Sequence, residues 1–336
     1  SGNLEVALTS SFTTSATNAM ITLNTNTNNL AGGVTLSTTG TTGHATIDNH
    51  TNALEIDTSS VGGNLTLTAG ANITDDGNVT VGGNFTATTD ANSGAISLGT
   101  MLVDGTVSLN TNGTGDATIV NDNGLTFTTS DVNGDLSATA TAGNIIQSGN
   151  LEVALTSTFI IGANGADILL DSSGNVFGDS VELKAATGGN QTFGNINFVD
   201  SGAIHFATSA ASDGDLFING SADGAVGGTL TVTATTGDIT DTEDLAVTGA
   251  SSFTTSATNA TITLDAGTLS LAGGVTLSTT GSTGHATIDN HTNALEIDPS
   301  SVGGNLTLVS GHVNGITDDG DVTVGGNFKA TTDANS

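Results

Sequence analysis

Apolar and polar residues alternate along this chain in runs of only three to five, and a Gly-Asn or Gly-Asp pair precedes many of them. The cadence appears as Gly63-Asn64-Leu65-Thr66-Leu67, Gly77-Asn78-Val79-Thr80-Val81, Gly83-Asn84-Phe85-Thr86-Ala87, Gly134-Asp135-Leu136-Ser137-Ala138, Gly149-Asn150-Leu151-Glu152-Val153 and Gly214-Asp215-Leu216-Phe217-Ile218. A period of two puts Leu65 and Leu67 on one face of a strand and Thr66 and Thr68 on the other. Strands this short are unstable alone, so each must pair with equivalent strands of neighbouring rungs. Gly followed by Asn or Asp supplies left-handed corners, and stacked Asn side chains bond along the stack. Leu65, Phe85, Leu125 and Ile145 fall about 20 residues apart or at multiples of that. The pattern predicts an all-β parallel β-solenoid (β-helix) of about 17 rungs and roughly 20 residues per rung, on the order of 80 Å long. No helical period or linker interrupts it, so residues 1–336 read as a single continuous repeat region.

The chain also contains long copies of itself. Phe12 to Leu67 return almost unchanged at Phe253 to Leu308, and after an insertion near Gly311 to Gly315 the match resumes at Ile73 against Ile316. The internal duplication thus spans 12–93 and 253–336, and a second echo joins Ser1–Ser10 to Ser148–Ser157. Differences between copies test the face assignment. Thr86 becomes Lys329 and Met20 becomes Thr261, both at outward parity, whereas Phe85, Ala87, Ile21 and Leu23 recur as Phe328, Ala330, Ile262 and Leu264. Because the duplication stops within a unit, the expectation is a longer chain or a head-to-tail polymer whose partner is itself.

Composition narrows the setting. With 47 Gly, one Pro and no Cys, Trp or Tyr the chain is neither collagen-like nor an average globular domain. No apolar run reaches the roughly 18 residues of a membrane helix, and no secretion signal opens the chain, so a mature or internal segment without membrane insertion is expected. The 33 Asp and Glu face only Lys184 and Lys329. That balance excludes nucleic acid, whose phosphates need Lys or Arg, and disfavours acidic glycans and anionic lipid. Like charges on stacked rungs repel, so a saline or cation-rich exterior fits best.

The Gly-Asn-Leu-Thr-Leu string at Gly63 to Leu67 and the Gly-Asn-Phe-Thr-Ala string at Gly83 to Ala87 resemble the β-helical repeat regions of filamentous haemagglutinin-like exoproteins and other giant bacterial surface adhesins. The likeness covers nearly the whole chain. It implies a structural segment of a secreted surface fibre or adhesin stalk, non-catalytic and extracellular, on the cell surface or in the extracellular matrix. Cell-surface or matrix components would be its partners. A binding module for ice, a glycan or a host surface is the alternative, and a degenerate polysaccharide-acting enzyme a more distant one.

Candidate chemistry is sparse. Without Arg, Trp or Tyr the chain lacks the basic residue and the sugar platforms of carbohydrate-cleaving β-helices, so no catalytic residue and no cofactor is expected. The set His44, Asp48, His50 and its copy His285, Asp289, His291 carry donors suited to a transition ion. Ala45 and Ile47 point inward, which puts His44 and Asp48 outward and His50 beyond a corner. The acidic corners Asp75-Asp76-Gly77 and Asp318-Asp319-Gly320, with Asp75, Asp76, Asp318 and Asp319 as oxygen donors, and the stretch Asp238 through Asp244 are candidates for calcium. Outward Thr66 and Thr68, Thr86 and Thr88, and Thr126 and Thr128 would form ladders on a roughly 20-residue register, resembling ice-binding solenoids, although outward Thr is also what a solvated strand favours. Asn64, Asn78 and Asn84 begin Asn-x-Thr glycosylation triplets of the kind a chain rich in Asn and Thr produces by composition. Phe12, Phe85, Phe127, Phe159, Phe193 and Phe217 are expected to fill the interior.

Overall fold

The computed structural model describes residues 2–25, 27–90, 93–186, 191–207, 209–219, 225–242 and 244–332. The described chain is all-β, a parallel β-solenoid of about 14 turns with about 22 residues per turn. Rungs are fewer and longer than the sequence spacing predicts. The Leu65-to-Phe85 step is a short one: Ile21 stacks on Ala45, Phe85 on Val107 and Ile196 on Leu230, with extra residues taken up in corners. The chain divides into two compact units, Ser1–Gly162 and Ala163–Ser336.

In the first unit one ladder runs through Ile21–Leu23, Ala45–Asp48, Leu65–Ala69, Phe85–Thr89 and Val107–Asn110, every pair parallel. A second runs through Ser10–Thr13, Val34–Ser37, Leu54–Val61, Ile73–Val81, Ile96–Val103, Ala117–Asn121, Leu136–Ala140 and Ser157–Ile161. Alternation decides the faces as expected. Ile21, Ala45, Leu65, Phe85 and Val107 form one buried column, while Thr22, Thr46, Thr66, Thr86 and Ser108 stand outward beside it. Beyond Val107 the regular strand breaks in two, Phe127 pairing with Val107 and Asp131 with Asn110. Thr126 therefore stacks on Ile146 and does not extend the column of Thr66 and Thr86.

The second unit rebuilds this arrangement from the duplicated sequence. Ile262, Ala286, Leu306 and Phe328 stack in one column, with Thr263, Thr287, Thr307 and Lys329 outward. Its other long ladder joins Ile168–Leu170, Ile196–Asp200, Leu230–Ala234, Ser251–Thr258 and Val275–Thr280. Phenylalanines fill the interiors: Phe127 meets Phe159 edge-on at 6.5 Å in the first unit, and Phe177 stacks on Phe198 at 5.3 Å in the second. Two of the expected interior set depart from that role. Phe12 lies on the inward side of its strand, opposite Leu36, yet is only half-covered. Phe217 is half-buried at an outward position, because Leu216 and Ile218 on either side take the inward ones.

Corners create a polar problem inside an apolar stack, and buried asparagines solve it. Asn49 is fully buried; its Oδ1 accepts the Leu30 N–H at 2.8 Å, and its Nδ2 donates to the Leu30 and Ala53 carbonyls at 3.1 and 2.5 Å. The amide thus stands in for a peptide group where the backbone turns away. Asn290 repeats the pattern on Leu271 and Ala294, and Asn121 uses it on Val103 and Gly124. Asp200 does the same job with a charge: its Oδ1 accepts the Phe177 and Ser201 N–H groups at 3.0 and 2.7 Å. Burial pushes the Asp200 carboxyl above the usual range, the bonded N–H groups pull it back in part, and the nearby Asp213 charge adds to the rise.

Replacing Asn49 by Leu strands the Leu30 N–H and the Leu30 and Ala53 carbonyls, at about 1–3 kcal/mol for each buried group left unpaired. Asn49→Leu and Asn290→Leu are each expected to lower the urea midpoint of unfolding, whereas substitution of the exposed Asn78 leaves it in place. For Asp200 the folded state holds its proton more tightly than the unfolded chain. Its contribution is therefore fully present below the unfolded value of 3.8 and is lost as pH rises through the raised folded value. Asp200→Asn keeps the acceptor without the charge, so the variant gains stability relative to the parent as pH is raised from acid to neutral in parallel thermal melts.

Candidate functional site

The Gly-Asn corners show how the candidate residues are held. Gly63 donates its N–H to the Gly43 carbonyl, Gly83 to Gly63 and Gly105 to Gly83, each at 3.1 Å. A Cβ at Gly83 would lie 2.4 Å from the Asn64 Oδ1 and 2.9 Å from the Gly63 carbonyl carbon, so only glycine permits this approach. One residue on, a side-chain ladder runs parallel to the glycines. The Asn84 N–H donates to the Asn64 Oδ1 at 3.0 Å, and the Thr106 N–H to the Asn84 Oδ1 at 3.0 Å.

His44 is the first acceptor of that ladder: its Nδ1 takes the Asn64 N–H at 2.8 Å. His285 does the same for Asn305 at 2.8 Å, and the Asn305 Oδ1 accepts the Asn327 N–H. The accepting Nδ1 places the ring proton on Nε2. Asp48 sits at the far end of the strand Ala45–Asp48, about 13 Å away along an extended chain, and its Oδ1 accepts the His50 N–H at 2.8 Å. His50 itself has a φ of 55°, the left-handed turn that follows. Asp289 and His291 repeat this turn, with the His291 Nδ1 3.7 Å from the Asp289 Oδ1 and its Nε2 bonded to the Gly267 carbonyl. The structure thus places His44 and His285 in the corner ladders, apart from the aspartate–histidine turns. Beside His291 lies exposed Asp244, whose carboxyl is held below the usual range by the Thr268 backbone N–H first, with a small contribution from His291.

Of the acidic corners, Asp76 and Asp319 are brought into clusters. Glu55, Asp57 and Asp76 offer carboxylate oxygens all within 4.8 Å of one another, and Glu296, Asp298 and Asp319 do likewise. Glu55 and Asp57 alternate outward on one strand and Asp76 stacks on Asp57 from the next rung. A cluster of oxygen donors alone is hard-cation chemistry. Asp75 is used differently: its Oδ1 accepts the Gly99 N–H, and its Oδ2 the Thr100 N–H and hydroxyl, each at 2.8 Å. Asp318 is exposed on the wall of an open recess of about 610 Å³ lined also by Ile316, Val322, Val324 and Phe328. In the stretch Asp238 through Asp244, Asp238 accepts the Thr261 N–H, and buried Asp241 accepts the Asp265, Ala266 and Gly267 N–H groups. Sequence spacing alone does not mark Glu55, Asp57, Glu296 and Asp298 as a site. Their period-two spacing was visible, but the stacking that adds Asp76 and Asp319 depends on register.

The outward hydroxyls form columns more extensive than the Thr pairs suggested. Besides the column from Thr22 to Ser108, the other ladder of the first unit stacks Thr74, Ser97, Thr118, Ser137 and Thr158 above Glu55. In the second unit Thr240, Thr263, Thr287 and Thr307 stack in turn, and His205 heads them with its Nδ1 2.8 Å from the Thr240 Oγ1.

No curated protein and no solved structure matches this chain. Residues 42–110, 114–184, 221–278 and 283–336, well over half of the sequence, match the family described as repeats of unknown function (DUF5649), and the chain belongs to that family.

Proposed function

We propose that this chain is a structural segment of a secreted bacterial surface fibre or adhesin stalk, non-catalytic, whose work is reach and display. The observation that carries the reading is the rung-to-rung continuity within each unit: backbone ladders, glycine columns and Asn ladders all repeat, so rungs can be added without a new core. Family membership in a repeat class supports it. The net charge of −31 keeps the outward faces soluble and opposes sideways sheet association.

The hydroxyl columns favour a second reading, a surface that binds ice or an uncharged glycan face. Thr22, Thr46, Thr66 and Thr86 recur in the second unit as Thr263, Thr287, Thr307 and Lys329.

Antibody to the chain is expected to label intact producing cells, and external protease to remove that label; a chain confined to the cytosolic fraction contradicts the stalk reading. For the second reading, wild-type protein should partition into growing ice or onto an insoluble neutral glycan. Thr46→Lys and Thr66→Lys should abolish this and Thr126→Lys should not. Absence of wild-type partitioning rejects the surface-binding role while leaving the stalk untouched.

A further inference from the structure

Cations are so scarce in this chain that the surroundings of each are informative. Lys184 lies on the strand Val181–Ala185 of the second unit, which pairs in parallel with Asp215–Asn219. Val181 and Leu183 turn inward onto Leu216 and Ile218 and are buried, leaving Glu182 and Lys184 outward, opposite Phe217 and Asn219. The amine-bearing and amide-bearing residues are thus direct neighbours on adjacent strands. One carboxylate oxygen connects them: Glu182 Oε1 accepts the Asn219 Nδ2–H at 2.8 Å and lies 3.9 Å from the Lys184 Nζ.

This outward patch differs from the hydroxyl columns elsewhere. Phe217, the one phenylalanine flanked by two inward neighbours of its own strand, stands opposite Glu182 in the register; the Glu182 side chain is 21% exposed and that of Lys184 36%. An amine, a carboxamide and a shared carboxylate beside an aromatic ring are the components of an acyl transfer from amide nitrogen to lysine nitrogen. The nucleophile needs a base to take its proton, and the leaving nitrogen needs an acid to supply one.

We propose that Lys184 and Asn219 form an intramolecular isopeptide bond, with Glu182 as the proton carrier. Glu182 takes a proton from the Lys184 ammonium, and the freed Nζ attacks the Asn219 Cγ to form the new C–N bond. The Cγ–Nδ2 bond then breaks as Glu182 returns that proton to Nδ2, and the second proton that Nζ sheds on acylation passes through the freed Glu182 carboxylate to the departing ammonia, which leaves as ammonium. Lysine ammonium plus carboxamide become a secondary amide plus ammonium, with no oxidant, metal or nucleotide consumed. The bond ties two strands that pair directly although a long segment separates them in sequence.

The sequence makes the test simple, because Lys184 and Lys329 are the only sites for trypsin. The intact full-length chain is expected to weigh about 17 Da less than its sequence, the mass of one ammonia. Trypsin acting on the denatured chain should release 1–329 and 330–336, since an acylated Lys184 is not cut. Lys184→Arg and Glu182→Gln, both on the outward face, should each restore the full mass, and Glu182→Gln should restore cleavage after Lys184. Full mass in the wild type with clean scission after Lys184 overturns the proposal. So does a 17 Da loss that leaves Lys184 cleavable, because that marks cyclisation of Asn219 onto the following glycine.

Discussion

A parallel strand of three to five residues makes no hydrogen bonds within itself, so its N–H and C=O groups must be met by the rungs on either side. Nearly every other feature follows from keeping those groups satisfied as the chain turns. Along the strands the task is simple, and alternation of apolar with polar residues suffices. Corners are harder, since the peptide groups there turn out of the ladder while remaining close to the core. Buried Asn49, Asn121 and Asn290 supply side-chain amides in place of the missing peptide partners. Glycine columns let backbones approach too closely for any Cβ, and His44 and His285 begin side-chain ladders that asparagines then continue. The histidines that look most like chemistry are part of this accounting.

Electrostatics sets the second constraint. Stacking places equivalent positions about 4.8 Å apart, so a carboxylate in one rung meets whatever occupies that position in the next. Most columns avoid repulsion by carrying Thr or Ser, and several aspartates spend their oxygens on backbone N–H groups, as Asp75, Asp238 and Asp241 do. Exposed Asp131 above Glu152, and the cluster of Glu55, Asp57 and Asp76, are places where like charges remain adjacent and solvent ions screen them.

The strand faces were legible in the sequence because alternation and duplication agreed: Leu65, Phe85 and their copies are where period two puts them. Rung length was less legible, since residues accommodated in corners change the step without disturbing the strands. Thr126 falls outside the column of Thr66 and Thr86 for that reason, the strand after Val107 breaking in two. In Leu216-Phe217-Ile218 three consecutive apolar residues gave alternation no way to show which faces out. His44, Asp48 and His50 are close in sequence, but an extended strand separates the first from the others. The reverse holds for Asp76, far in sequence from Glu55 and Asp57 and stacked beside them. Contacts between rungs depend on register, and register is what a list of residues conceals most completely.

The central claim is that parallel rungs stack at one backbone spacing, and X-ray diffraction from aligned, concentrated protein tests it directly. The account predicts a sharp meridional reflection near 4.8 Å, the strand-to-strand distance, from the native and unaggregated chain. A pattern lacking that reflection, or showing it only after aggregation, would contradict it.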